Sequence, residues 1–448
     1  MARIAIRAWV LLVGLAGIGA RADDGVMLRE EATGATQVLI EMKAQGESRP
    51  ELPPGSPKDA PVAKPVPLRI EARLDFLERV VSRDAAGLPK RAARRVVEAA
   101  TALGEPQGRL LRLRPEVAIL IAERREAGVI VYSAGGPLTR WELEMVQVPG
   151  DPMALAGLLP TKAVKVGDRW PVSTEAARNL SDYDTIKTNG LEAKLESLDE
   201  AEAKIRLGGS VVGSARGGEG AIGFLGLVTF DRKARRMSTI KLTRQETRKE
   251  GLVEFGLAVK STLTIERSAC ETPKELSDDA IATLPREDDP RREWLLLAAP
   301  DAKYTLEHDR DWHLTRENAR QIVLKRIEAG ELVAQCNLAV GPNAGKGRHQ
   351  DLEEFRADVK KALGARFTQI VGAGDVDGGP NSGFLYKVAV AGQEGDLGVL
   401  WYYYLIASPE GDQLLATFTL DQGSEKRFGN ADREILSTLE WKAVAGKK

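Results

Sequence analysis

The sequence predicts an α+β protein in two parts, a curved antiparallel half-barrel-like β domain followed by an α-β-α sandwich with an antiparallel sheet. Three observations carry this. Residues 190–267 hold five strand-like runs joined by short turn-forming stretches such as Asp199-Glu200 and Lys249-Glu-Gly251, the pattern of a meander. Residues 397–406 are apolar on both faces, and such a strand must be covered on both. Between these regions, 270–300 is polar and proline-interrupted, which reads as a linker.

The chain opens with an export address. Arg3 and Arg7 precede an apolar run of 13 residues, 8–20, which ends in Ala20-Arg21-Ala22 and is followed by Asp23. Residues 1–22 therefore read as a signal peptide, since a membrane-spanning helix needs roughly 20 apolar residues. No Cys lies near the cleavage point to carry a lipid. The expected location is extracytoplasmic, periplasmic or secreted, with no transmembrane segment in the mature chain.

The β domain is placed at 23–269. Residues 36–44 read as a strand, and seven prolines then fall between 50 and 67. This proline-rich loop 50–67 is expected to join two strands of one sheet, because a lone strand has nothing to pair with. Residues 68–81 alternate, with Leu68, Ile70, Ala72 and Leu74 on one face. The spacing of Val96, Val97, Ala100 and Leu103 predicts a helix over 88–103, with Lys90, Arg91, Arg94 and Arg95 on its solvated side. Strands follow at 117–122 and 128–132, a short helix near 152–159, and a strand with a Gly-Asp turn at 164–172. The meander runs through 191–198, 203–212, 221–230, 237–247 and 252–265.

The second part is placed at 301–443. Strands are expected at 321–328, 331–340, 366–371, 383–390, 397–407 and 412–420. A helix at 351–363 carries Leu352, Phe355, Val359 and Leu363 on one stripe, with Asp351, Glu353 and Glu354 at the positive end of its dipole. A helix at 430–439 closes the unit. Trp401 to Tyr404 lie at strand period and read as core. The order of the Trp312 segment, the strands about Cys336, the 351–363 helix, the aromatic strand and the closing helix resembles the PsbP-like α-β-α sandwich. Residues 23–267, including Val164-Lys-Val-Gly-Asp-Arg-Trp170, resemble uncharacterised exported bacterial half-barrel domains. The PsbP-like resemblance implies a protein that binds or helps assemble other proteins, by analogy of fold alone.

Composition narrows the partners. Without residues 1–22 the net charge is near −4 and no concentrated basic face is evident, which argues against nucleic acid. Cys336 sits in an apolar strand and is expected as a buried thiol; Cys270 falls in the linker. Their number and placement give no metal site.

The chemical motifs are weak. Gly218-Glu-Gly-Ala-Ile-Gly223 fits G-x-G-x-x-G, but a dinucleotide site needs a helix after it, and 224–230 is β-like. Gly341-Pro-Asn-Ala-Gly-Lys346 has the wrong spacing for a phosphate loop, and Gly347 stands where Ser or Thr must hold magnesium. Asp375-Val-Asp-Gly-Gly379 lacks the acid of a calcium loop, because Tyr386 occupies its place. His308 and His313, among Asp309, Asp311 and Trp312, match no zinc spacing and read as a surface turn. The pairs Asp278-Asp279 and Asp288-Asp289 lie in the linker, without a pocket to raise a pKa. No catalytic, cofactor-binding or metal residue is assigned, and no cofactor is expected. The leading expectation is an exported non-enzymatic binding or scaffold protein. The alternatives are a periplasmic carrier holding a lipid or other apolar ligand in the N-terminal sheet, and a hydrolase with an unrecognised site.

Overall fold

A computed structural model describes residues 25–31, 33–49, 64–104, 109–285, 289–298, 303–318, 320–376 and 383–442. Residues 1–22, expected as a signal peptide, and most of the proline-rich loop lie outside the described residues. The fold is mostly β, with one large antiparallel sheet and two smaller sheets.

The large sheet has 13 strands. From one edge its path runs Gly128–Ser133, Ile119–Arg125, Pro89–Leu103, Val66–Arg83, Ala35–Arg49 and Gly256–Cys270. It continues through Arg236–Arg248, Gly218–Asp231, Glu202–Ala215 and Glu192–Leu198 to Arg169–Pro171. Arg109–Arg112 and Thr185–Asn189 pair off this path. The two ends do not meet, so the sheet is not a closed barrel. Ser48 is registered against Val66, so the proline-rich stretch connects neighbouring strands.

One face of this sheet is a core. Val38, Ile40, Leu74, Phe76, Ile240, Leu242, Leu263 and Ile265 pack with a segment that lies across them. That segment comprises helix α1 (Arg140–Val146), a 3-10 helix at Pro152–Leu158 and helix α2 (Thr174–Ser181). It contributes Leu143, Val146, Met153, Leu155, Leu158, Ala176 and Leu180. The opposite face carries Glu41, Arg73 and Glu98 as an exposed ion-pair row, a face built for water.

The expected helix at 88–103 is corrected: this stretch is the Pro89–Leu103 strand, paired with both Val66–Arg83 and Ile119–Arg125. A bulge explains the helix-like spacing. Asp75 faces Glu98 and Phe76 faces Val96, leaving Val97 extra and 54% exposed, which breaks the alternation. Arg94 is also not solvated; it is only 1% exposed. Its Nη1 and Nη2 donate to the two Asp151 oxygens at 2.7 Å each, and its Nε donates to Glu78 at 2.8 Å. Burial alone would weaken its hold on the proton, and the charges of Asp151 and Glu78 more than reverse that. The pair ties the 3-10 segment, which Asp151 caps, to the sheet.

The stretch expected as a linker is packed along its described residues. It holds a 3-10 turn at Lys274–Leu276, helix α3 (Asp278–Ala282) and the strand Leu295–Leu297. Leu276 and Leu295 are fully buried. Leu295–Leu297 pairs in parallel with Leu138–Thr139 and antiparallel with Tyr304–His308, which also pairs with Glu440–Trp441. This four-stranded sheet joins the two parts of the chain.

The seven-stranded sheet runs Trp312–Glu317, Gln321–Glu328, Glu331–Val340, Gln413–Asp421, Leu397–Ala407, Phe384–Glu394 and Phe367–Asp375. Helix α4 (Leu352–Leu363) packs Phe355, Val359 and Leu363 on Val388, Val399, Trp401 and Leu405. Helices α5 (Glu425–Phe428) and α6 (Ala431–Leu436) pack Phe428, Ile435 and Leu436 on Leu400, Tyr404, Ile406 and Phe418. The alternation along Leu397–Ala407 thus sends successive residues into two different cores. Cys336 is a fully buried free thiol in one of them, and Cys270 is a half-buried free thiol.

Candidate functional site

The two parts meet at a polar junction. Two features fix α1 there. Thr139 and Glu142 form a capping box, with Glu142 N–H donating to Thr139 Oγ1 at 3.2 Å and Thr139 N–H donating to Glu142 Oε2 at 2.8 Å. Arg114 donates to the same Glu142 from Nε at 2.6 Å and from Nη2 at 2.8 Å. Arg140 and Glu144, four apart on α1, then share one helix face. Arg140 reaches the C-terminal part and donates to the carbonyls of Arg310 and Trp312 at 3.1 and 3.0 Å. In return, Arg310 donates to Gln147 Oε1 at 2.9 Å and to the carbonyl of Glu293 at 3.0 Å. Arg310 has only neutral acceptors, and burial drops its pKa to about 10.

Helix α2 ends at Asp182, whose backbone is left-handed at φ 60°. Tyr183 follows and is 2% exposed. Its ring lies over two glycines: a Cβ on Gly213 would stand 2.6 Å from Tyr183 Cδ2, and one on Gly220 would stand 2.4 Å from Tyr183 Oη. That contact accounts for the second glycine of the G-x-G-x-x-G stretch, which lies within the Gly218–Asp231 strand and has no helix after it.

Opposite Tyr183, the inward positions of Arg236–Arg248 change character. Ile240 and Leu242 belong to the core, and then Arg244, Glu246 and Arg248 follow on the same face. Glu254, in the next turn, receives Arg248 Nη2 at 2.8 Å and also pairs with Arg216. Arg216 occupies a two-residue hairpin turn with Gly217, both at positive φ, and its N–H donates to Asp184.

Two carboxylates stand apart from this pairing. Among the described residues neither Glu144 nor Asp182 has a hydrogen bond or ion pair to its side chain. Both residues are exposed, though the protein packed around them withdraws part of their hydration. Partial burial raises the pKa of each, and the nearby charges of Arg216, Arg140 and Arg244 only partly offset it. Glu246 is raised for the same reason. Among the described residues, no group of three or more His, Cys, Asp and Glu side chains is placed to hold a metal.

The histidines are corrected here. His308 does not sit on a surface turn: it is 3% exposed, in the joining sheet, with Nδ1 2.7 Å from the carbonyl of Asp309. Burial lowers its pKa to about 4 and that of half-buried His313 to about 3. Gly341–Lys346 is the loop expected after a strand, held by an Asn343 turn to Gly345 N–H at 2.8 Å. Asp278 lies in the first turn of α3 and pairs with Arg79. Most of 375–379 and all of Asp288 lie outside the described residues. Trp401 and Tyr404 are buried, as core.

The junction residues were not among the sequence candidates. The one available signal was the apolar-to-charged change along the inward positions of residues 240–248.

No family model matches the chain, and no curated protein matches it, so the PsbP-like resemblance has no family match behind it. Among solved structures it bears a distant likeness to lipovitellin, at 6% identity over 55% of this chain and 27% of that one, with a TM-score of 0.31. A crystal structure from Bacteroides thetaiotaomicron VPI-5482 is 14% identical over 34% of this chain and 50% of that one, with a TM-score of 0.25. The chain thus spans half of one of these structures and about a quarter of the other. Neither likeness is close enough to bear on function.

Proposed function

We propose that this is an exported, non-enzymatic binding or scaffold protein that engages a partner at the polar junction between its two parts. In this reading the large sheet curves like a half-barrel about the α1–α2 segment, and the C-terminal part is an α-β-α sandwich. The observation that carries the proposal is the filled inner face of the large sheet. Leu143, Met153, Leu155, Leu158 and Leu180 occupy the space that an apolar cargo would need, which weighs against the carrier reading. The arginines and carboxylates of the junction mostly neutralise one another, an arrangement suited to recognition rather than to driving a proton transfer.

The test is co-elution. The mature chain, recovered from the exported fraction and starting at Asp23, is expected to elute with a second polypeptide at fixed stoichiometry. The paired change Glu144→Lys and Asp182→Lys should release that polypeptide while the chain stays folded. Elution as a lone monomer from every exported fraction would contradict the proposal.

A further inference from the structure

His308 and His313 lie where the two main cores of the molecule meet. His308 is registered against Leu295, so the two side chains share one face of the joining sheet. Leu295 belongs to the core of the large sheet, while Leu297 and Leu306, on the same face, belong to a core of the C-terminal part. His308 is 3% exposed and His313 is half-buried. Because a carbonyl can only accept, His308 carries its proton on Nδ1, which donates to the Asp309 carbonyl at 2.7 Å. Among the described residues, no acceptor meets the other nitrogen of His308 or either nitrogen of His313, and no carboxylate forms an ion pair with either ring. A proton added to either ring is therefore a donor without a partner and a charge without a counter-charge.

The cations about these rings also fasten the two parts together. Arg140 on α1 bears on both histidines, and Arg216 in its hairpin turn bears on His313. Arg310, in the turn after His308, is buried among neutral acceptors. Lys325, registered against His313, directs its ammonium to the Leu252 carbonyl across the junction at 2.8 Å. The strand Leu295–Leu297 brings no charge. Asp309 and Asp311 stand in the turn itself, with Arg326 and Glu434 acting on Asp309, and Glu144 and Glu254 act on Arg140. The ties across the seam run from Arg140 to the Arg310 and Trp312 carbonyls, from Arg310 to Gln147 and from Lys325 to Leu252, beside a short parallel ladder. Each of these ties is a cation on a neutral acceptor or a stretch of backbone, so none of them offsets added positive charge.

We infer that the junction is an acid-released clasp: proton uptake by His308 and His313 parts the C-terminal part from α1 and the Arg216 turn while both main sheets stay folded. The clasp is independent of the binding reading above, since it needs no partner. Burial, then Arg140 and, for His313, Arg216 lower the closed-form pKa of His308 to about 4 and of His313 to about 3. Once the seam opens, both rings titrate near the ordinary value of about 6.5. The closed form is therefore fully favoured above pH 6.5 and loses ground as pH falls. Between pH 7 and pH 5 each ring raises the open-to-closed ratio about twentyfold, or about 400-fold together. Asp309 and Asp311, raised by burial, act in the opposite sense, but only as the pH nears the carboxylate range at about 4.

Small-angle X-ray scattering of the full chain at pH 7, 6 and 5, with far-ultraviolet circular dichroism on the same samples, tests this. The chain is expected to be compact at pH 7 and extended at pH 5, with its strand signal unchanged and compactness regained on return to pH 7. His308→Asn keeps a donor for the Asp309 carbonyl without titrating and should reduce the acid response about twentyfold. Adding His313→Gln should abolish the response between pH 7 and pH 5. His349→Gln, at an exposed histidine of the C-terminal part, should leave the transition where it is. If His308→Asn is unfolded at pH 7, His313→Gln alone carries the test, at a half-buried position and with the same reduction of about twentyfold. A parent chain that stays compact at pH 5, a strand signal lost together with compactness, or a double variant that still opens overturns the inference.

Discussion

The two main sheets solve the same problem in different ways. The seven-stranded sheet is apolar on both sides and is closed by α4 on one face and α5 and α6 on the other. The 13-stranded sheet is apolar on one side only, and a single inserted segment covers it while its other face meets water. The first sheet ties its cover with one buried carboxylate, Asp432 at the foot of α6, which accepts from Lys387 and Tyr404. The second fastens its cover with the Arg94–Asp151–Glu78 cluster. Apolar packing is non-directional, and the bidentate ion pair adds positional definition to the insert.

The largest expected effect breaks that fastening. Arg94→Ala would leave two carboxylates buried without a counter-charge and should cost about 3–5 kcal/mol, read by denaturant unfolding. Arg69→Ala, on the same sheet with an exposed side chain, should cost under about 0.5 kcal/mol. If the two variants unfold alike, the cluster does not hold the insert. In the two-sided sheet, the matching experiment is Leu414→Ala. Leu414 is fully buried, and the change should cost about 2–4 kcal/mol through lost burial and a residual cavity.

A smaller effect comes from the strip between the sheets. His308 titrates near 4 when folded against about 6.5 when unfolded, so the unfolded chain takes up the proton first as pH falls. The stability owed to neutral His308 is therefore complete above pH 6.5 and is lost as pH falls toward 4. His308→Phe should flatten the fall in melting temperature across that window relative to the parent protein. An unchanged slope would mean that His308 is not desolvated.

How much of this could be read from the sequence differs between the sheets. The strands at 321–328 and 331–340, the 351–363 helix and the double-faced strand were legible because each carries a dense apolar run or stripe of the right length. The 88–103 stretch was not. Its alanines and arginines favour a helix in isolation, and the bulge at Val97 shifts the apolar positions onto a helical spacing, so pairing on both sides overrides local preference. The junction was illegible for another reason. Arg140 and Glu144 lie on α1, Asp182 at the end of α2 and Arg216 in a hairpin turn, and only the tertiary fold brings these three places near one another.

The smallest expected effect lies on the watery face of the large sheet. Leu225 is 58% exposed there, and Leu225→Ser should change stability by less than about 0.5 kcal/mol. A larger loss would show that this face is covered too, and that the two sheets are more alike than described.

The central claim is that the covered face of the large sheet is a packed core rather than a cargo space. Native mass spectrometry of the purified chain, followed by organic extraction, tests this most directly. The account predicts a chain free of lipid, whether alone or with a polypeptide partner. A lipid retained at one per chain, and lost only on unfolding, would contradict it.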